Sequence, residues 1–290
     1  MRLQFVRNRG LGPASLIGRL KGHPARQKIS RRRLESFVDQ MERGPRVSLS
    51  SVPPGSIAIV VPCFRHASYL SEMLESIASQ IRPPDEVIFI DDCSPDATSE
   101  ILGDFIARHS SPPGPRWRLL VNDRNVGQAA SLNLGIAVAS SDLVMVLNDD
   151  DYLMHDAVAS ALALFHGHPE LALVAGHHVE FAGREALAAS PKTSSAHTGS
   201  NATLVIHRPD EVRTYPFVDQ LDMTHSGMSV LKAVWDAVGG YRPNKDERVA
   251  QYSDRDFQFR VAALWPVGVA QDTAFAFWRN DSSVDRLLNS

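Results

Sequence analysis

Three consecutive carboxylates, Asp149-Asp150-Asp151, follow directly on the apolar run Leu143-Val144-Met145-Val146-Leu147. Such a run reads as a strand buried on both faces, which delivers the acids together at its C-terminal end. In open α/β sheets ligands bind along that edge. Carboxylates held close repel one another, and a hard divalent cation, Mg2+ or Mn2+, is the usual reason to gather them. A cation there could in turn hold a diphosphate. A solvated turn ahead of an acidic helix start would leave the same letters, so the rest of the chain must decide. A second acidic group, Ser253-Asp254-Arg255-Asp256, opens a helix carrying Phe257, Val261 and Leu264. A carboxylate in a first helical turn gains from the helix dipole and can also serve as a general base.

The elements needed to position these acids are legible in the spacing. Ile57-Ala58-Ile59-Val60-Val61 is a β-branched strand that Pro62 should stop, and Leu70, Met73, Leu74, Ile77 and Ile81 recur at helical spacing over about 68–80. Pro83-Pro84 forbid continuation of that helix. A second strand, Val87-Ile88-Phe89-Ile90, runs into Asp91-Asp92, and Asp96 can cap a helix bearing Ile101, Leu102 and Phe105. Strand 117–121 and a helix over about 127–139 lead to the strand at 143–147. This alternation predicts an α/β fold with a mostly parallel central sheet and helices on both faces. Residues 182–200, rich in Ala, Ser, Thr and Gly, read as a flexible loop.

Composition narrows the class. With 290 residues, 43% of them hydrophobic, the chain can bury a full core. Its two cysteines, Cys63 and Cys93, have no metal-ligand spacing and suit a reducing cytoplasm. No stretch approaches the roughly 20 apolar residues of a spanning helix. Residues 1–50 carry a surplus of nine positive charges, which leaves −12 on the remaining 240. The acidic body suits a cation site and argues against nucleic acid as a partner. The basic leader, with Arg31-Arg32-Arg33, reads either as a peripheral dock on anionic lipid at the inner face of the membrane or as a tail without a partner. On this reading residues 1–52 form an extension, partly helical or disordered, ahead of one domain at 53–290.

Four blocks in order resemble the family 2 inverting glycosyltransferases, which have the GT-A fold. The first is Ile59-Val60-Val61-Pro62-Cys63-Phe64-Arg65-His66 with Tyr69-Leu70, Ser76 and Gln80, and the second is Asp91-Asp92-Cys93-Ser94-Pro95-Asp96. The third runs from Asn125-Val126-Gly127 through Asn133-Leu134-Gly135 to Leu147-Asn148-Asp149-Asp150-Asp151. The fourth runs from Gly239-Gly240-Tyr241 to Asp254-Arg255-Asp256-Phe257 and Arg260. Each is short; their order across about 57–260, on matching elements, carries the resemblance.

The resemblance implies a nucleotide-sugar half over about 57–152 and an acceptor half over about 170–290. Pro62, Phe64, Asp91, Asp92, Asn125, Asn148 and Asp149 would contact the donor, a nucleotide-diphosphate sugar with UDP first, then GDP or dTDP. Asp150 and Asp151 would bind Mn2+ or Mg2+ with Asn280, which stands where many members have His. A shifted register using Asp149 and Asp151 remains open. Asp254 would be the catalytic base, with His225 and Asp256 on the acceptor side. The acceptor would be a glycan, lipid-linked or other hydroxyl, in surface polysaccharide or glycoconjugate synthesis. Asn148, Ser253 and Asn280 depart from the family's acidic or histidine residues, which leaves a degenerate, non-catalytic binding module as the alternative. A nucleotidyltransferase ranks last, since 62–66 is no Gly-rich phosphate loop.

Overall fold

A computed structural model describes residues 27–44, 49, 53–177, 179–181, 203–271 and 273–279. The loop expected at 182–200, together with His178 and Asn280, lies outside the described residues. The first half is a β-α-β alternation: β1 (Ile57–Cys63), α2 (Leu70–Ala78), β2 (Glu86–Asp91), α3 (Thr98–His109), β3 (Arg116–Val121), α4 (Gln128–Val138) and β4 (Leu143–Val146), preceded by α1 (Arg31–Arg43). The second half adds β5 (Tyr152–Leu153), α5 (Ala157–Gly167), β6 (Leu173–Ala175), β7 (Val179–Phe181), β8 (Leu204–His207), the short α6 (Pro209–Val212), β9 (Ser229–Leu231), α7 (Lys232–Val238), α8 (Ser253–Ala262), β10 (Val267–Ala270) and β11 (Ala276–Arg279).

Among the described residues eight strands form one sheet in the order β3-β2-β1-β4-β9-β6-β10-β8, and β5, β11 and β7 form a second. β1 pairs in parallel with both β2 and β4, so the chain reverses its winding direction between β1 and β4. That reversal opens a crevice at the strands' C-terminal ends. β9 is antiparallel to β4 and β6 and marks the passage into the second half.

Period-two alternation sorts β1 between two cores. Ile57, Ile59 and Val61 join α2, α3 and α5 on one face, while Ala58 and Val60 join α4, α7 and α8 on the other. Pro62 does not stop β1, which continues to Cys63. Val60 O accepts from Leu147 N on the β4 side and Cys63 O from Asp92 N on the β2 side. By alternation the missing N–H of Pro62 faces β4, whose register with β1 ends at Val60.

Gly135 explains how closely α4 lies on the sheet. A Cβ there would stand 2.4 Å from Ile90 Cδ1 and 2.7 Å from Val60 Cγ1. Gly135→Ala should therefore cost about 1–3 kcal/mol despite its better helix propensity, as read by urea unfolding. A gain in stability would mean that α4 can lift off without cost.

At the opposite ends of the strands, buried Glu86 accepts from Ser140 N (2.9 Å), Ser140 Oγ (2.6 Å), Ser141 Oγ (2.9 Å) and Arg118 NH2 (2.6 Å), tying the starts of β2 and β4 to β3. Burial alone would raise this carboxyl, but the hydrogen bonds from Ser140, Arg118 and Ser141 outweigh it and bring the pKa from 4.5 to about 2. The stabilisation is thus full above about pH 4.5 and lost as pH falls through about 2. Glu86→Gln should lower stability at pH 7 by on the order of 3 kcal/mol, and the gap between variant and parent should close toward pH 2. A gap of constant size from pH 7 to pH 2 would rule out the linkage.

The core does not observe a boundary at residue 52. Leu34, Phe37 and Val38 of α1 are buried in the same core as Val249, Phe257 and Val261. Among the described residues no helix is long and apolar enough to cross a membrane.

Candidate active site

The crevice between β1 and β4 is closed by hydrogen bonds between the turns that follow the two strands. Asp149 Oδ2 accepts from Phe64 N at 2.9 Å, and its Oδ1 lies 2.7 Å from His66 Nδ1. The His66 ring nitrogen and carboxylate oxygens of Asp149 and Asp150 all lie within 4.8 Å of one another. Both acids are buried and His66 is half-buried. Burial pushes the Asp149 carboxyl up, as does the charge of Asp150, while His66 opposes the shift. Two carboxylates and an imidazole, gathered where desolvation penalises their charge, fit a divalent cation with an affinity for oxygen and nitrogen.

Asp151 faces elsewhere. Its Oδ1 accepts from Arg279 N at 2.9 Å, and its Oδ2 from Asn148 Nδ2 at 3.1 Å and from Ser226 Oγ. It therefore ties β11 and the 225–228 turn to the end of β4. Burial, then the charge of Asp150, push it up to about 7 against the pull of these donors. The resemblance implies Asp150 and Asp151 with Asn280 as cation ligands, leaves a register through Asp149 and Asp151 open, and gives Asp149 to the donor; Asn280 lies outside the described residues. The geometry instead groups Asp149 with Asp150 and uses Asp151 as an anchor. Arg279 reinforces the same corner: its Nε donates to Asp150 O at 2.9 Å, its NH2 pairs with Glu72, and its guanidinium lies 4.6 Å from the Tyr69 ring centroid.

The second acidic pair is drawn into loop geometry. Asp91 accepts from Ser94 N at 3.0 Å and from Ser99 Oγ. Asp92 accepts from Asn122 Nδ2 and Val126 N, both at 2.8 Å, and from Gly127 N at 2.7 Å, which clasps the 122–127 loop. Asp96 lies one residue ahead of the N-cap position, which is Ala97, and accepts from Thr98 N at 3.2 Å. The turns after β1 and β2 each contain a non-glycine residue in the left-handed region, Arg65 and Cys93, both at φ 60°. They are clipped together by Arg65 N donating to Ser94 Oγ at 3.2 Å. Phe64 and Asn125 are exposed at this rim, and Pro62 is buried within β1.

A cavity of about 620 Å3 opens beside the carboxylates. It brings together Asn148, Asp151, His225 and Asp254, with Gln128, Asp222 and Trp278 also on its wall. Asn148 Oδ1 accepts from Gln128 Nε2 at 2.9 Å. Asp254 lies in the first turn of α8, half-buried. His225 Nε2 lies 3.1 Å from the Tyr241 hydroxyl. Burial holds the His225 ring below its usual range, with the Asp254 charge opposing and Arg255 reinforcing. Burial and the Asp254 charge push the Tyr241 phenol up, so that it keeps its proton.

Asp256 is not on that wall. It is fully buried, its Oδ2 accepts from Arg260 Nε at 2.8 Å, and Arg260 NH1 donates to Val238 O at 2.7 Å. Two residues after Asp254, a helix turns its side chain to the opposite side, so the acceptor-side expectation for Asp256 does not match its position. Gly239 and Gly240 serve the same knot. Gly240 has φ 65°, and a Cβ on it would meet Asn133 Oδ1 at 2.6 Å. Asn133 in turn brackets Tyr241, accepting from its N at 2.9 Å and donating to its O at 2.8 Å.

Residues 58–214, more than half of the chain, match the model of the family described as glycosyl transferase family 2. The chain belongs to that family. Among curated family-like relatives, a poly-beta-1,6-N-acetyl-D-glucosamine synthase of Staphylococcus epidermidis is 31% identical over 121 residues, 42% of this chain and 28% of that protein. The succinoglycan biosynthesis protein ExoO of Rhizobium meliloti is 32% identical over 109 residues, 38% of this chain and 29% of that protein. The chain thus spans under a third of the length of either relative in these matches. Among solved structures, S. aureus TarS in complex with UDP has a TM-score of 0.58 at 17% identity, covering 78% of this chain and 60% of that one. The mannosyltransferase PcManGT from Pyrobaculum calidifontis, in complex with GDP-Man and Mn2+, has a TM-score of 0.55 at 18% identity, covering 85% and 64%. These likenesses give the family 2 chain the fold expected of it, a GT-A-type α/β sheet.

His66, Gln128, Ser226 and Tyr241 were not singled out by residue chemistry alone. His66, Gln128 and Tyr241 lie within or beside the short blocks of the sequence and Ser226 lies outside them, yet nothing in the spacing announces that His66 reaches Asp149, 83 positions away.

Proposed function

We propose that this family 2 chain moves a sugar from a nucleotide-diphosphate donor to a hydroxyl acceptor with inversion at the anomeric carbon. The observation that carries the reading is the cavity that sets Asp254 on the same wall as Asn148 and Asp151, the latter next in sequence to the Asp149–Asp150–His66 cluster. Asp254 takes the proton of the acceptor hydroxyl. The oxygen then bonds to the anomeric carbon as the opposite carbon–oxygen bond breaks and its electron pair leaves with the diphosphate. Asp149, Asp150 and His66 would hold Mn2+ or Mg2+. Such a cation neutralises charge on a departing diphosphate when bound. Phe64, exposed at the rim, offers a face for the nucleoside base, and the Asp91 and Asp92 turns shape the pocket around it. UDP leads as the donor nucleotide, with GDP and dTDP behind it. A glycan or lipid-linked acceptor in polysaccharide synthesis fits the curated relatives, and the basic N-terminal residues would suit an acceptor held at a membrane.

Thermal unfolding with UDP, GDP, dTDP and CMP, each with and without Mn2+, tests the donor side. A diphosphate at 100 times its dissociation constant should add about 2.7 kcal/mol, and only when Mn2+ is present. Equal shifts with and without Mn2+ would remove the cation from the reading, and no shift with any nucleotide would remove the donor.

A further inference from the structure

The segment ahead of the sheet touches two loops at once, and both loops run into the cavity wall. Ile29 N donates to Pro216 O at 3.1 Å, and Val218 N donates to Gln27 O at 3.1 Å, with Lys28 bridged to Phe217. The same few residues reach the other loop: Ser30 N donates to Val249 O at 2.9 Å, Arg33 NH1 to Arg248 O at 2.8 Å, and Gln27 Nε2 to Gln251 Oε1 at 2.7 Å. Behind them Phe37 lies with its ring centroid 5.2 Å from the Arg242 guanidinium and 5.6 Å from that of Arg260. From the first loop the chain continues to Asp222 and His225, and from the second to Tyr252 and Asp254, all on the cavity wall.

We infer that residues 27–44 are a brace that sets the spacing of these two loops, and through them the placement of Asp254 and the width of the acceptor end. The segment touches neither the cavity nor the carboxylates after β4, so its residues are positioning residues. From outside, the second loop is also held by the burial of Val249 and Ala250 and, at its far end, by Arg255, whose NH1 donates to Leu221 O at 3.2 Å and Met223 O at 2.8 Å. Arg248 crosslinks it internally, donating to Arg242 O at 2.7 Å, Pro243 O at 2.8 Å and Gln251 O at 3.0 Å. Those bonds make the loop a rigid unit without fastening it to the first. At the Asp254 end the fastening comes from Arg255 and from Gln258, whose Nε2 donates to Thr224 O at 3.1 Å; at the other end it comes from the brace, and Val249 N donating to Asp256 holds the loop to α8. A surface loop that loses one of its few attachments opens more readily over the stretch that attachment held. The inference rests on the transferase reading for its consequence at Asp254, while the mechanical link stands apart from it.

The test is hydrogen exchange on the full chain carrying Ser30→Pro and Arg33→Ala together. Ser30 has φ −75° and its side chain makes no capping bond, so proline there removes the N–H to Val249 and keeps the backbone angle. Exchange of the 248–255 amides should rise about 5- to 30-fold, the conversion of 1–2 kcal/mol, with a smaller rise at 214–223 and none at 57–63. Restoring a single donor with Ser30→Pro and Arg33→Lys should recover part of the protection. Binding of UDP with Mn2+, read on the same variants, should stay within about twofold, since the donor half is untouched. Unchanged exchange at 248–255, or a rise equal across the sheet, would overturn the brace. Failure of the unaltered protein to bind UDP with Mn2+ would count against the donor reading and leave the exchange result to decide the brace alone.

Discussion

Asp254→Asn should lower kcat by about 10²- to 10⁴-fold while the affinity for nucleotide and Mn2+ changes by no more than about twofold. The amide keeps the shape of the carboxylate and its place in the first turn of α8, but has no lone pair basic enough to accept the acceptor's proton. Donor binding should survive because the groups assigned to nucleotide and cation, Phe64, His66, Asp149 and Asp150, sit on the turns after β1 and β4. One neighbour could take over. His225 lines the same cavity, and its burial favours the neutral, proton-accepting ring. Steady-state turnover with separately measured nucleotide binding distinguishes the two. Near-parental turnover in Asp254→Asn would move the base to His225, and loss of nucleotide binding would make Asp254 a donor residue.

The largest loss of stability is expected two residues further on. Asp256→Asn should cost about 3–5 kcal/mol, because it leaves Arg260 charged and fully buried with its partner carboxylate gone. In a chain of this size that is a fall in Tm of about 10 °C. Burial already depresses the Arg260 pKa, and the charge of Asp256 is the main force opposing it. The remaining Arg260 donors serve Val238 O and Gly240 O, so the variant also loosens the carbonyls at the end of α7. Removing both charges with Asp256→Asn and Arg260→Met should recover a good part of the loss, since a buried pair exchanged for apolar volume often costs little. Urea unfolding of the parent, the single variant and the double variant checks this. A single variant within 1 kcal/mol of the parent would show that Arg260 reaches solvent.

These two aspartates look alike in the sequence, both acidic and both in the first turn of one helix. Burial separates them: Asp256 faces Arg260 in the core, and Asp254 faces the cavity. A similar sorting happened in the acidic triplet. Successive residues after a strand point in different directions, and only contacts with distant segments reveal where each one goes. Asp149 meets His66, Asp150 lies beside both, and Asp151 meets Ser226 and Arg279.

What the chain spelled out by itself was local. Period-two and period-3.6 apolar spacing placed β1, β2, β3, β4 and their helices to within a few residues, because backbone geometry converts that spacing directly into buried faces. Short blocks at the strand ends then indicated the family and the edge of the sheet where chemistry would gather. Only the tertiary structure decided the rest: that β9 enters the sheet antiparallel, that Pro62 lies within β1, that α1 belongs to the core, and that His66 rather than Asp151 joins Asp149 and Asp150. Each depends on segments tens to hundreds of residues apart meeting in space. Side-chain periodicity reports which face a residue shows, and carries no record of what that face will touch.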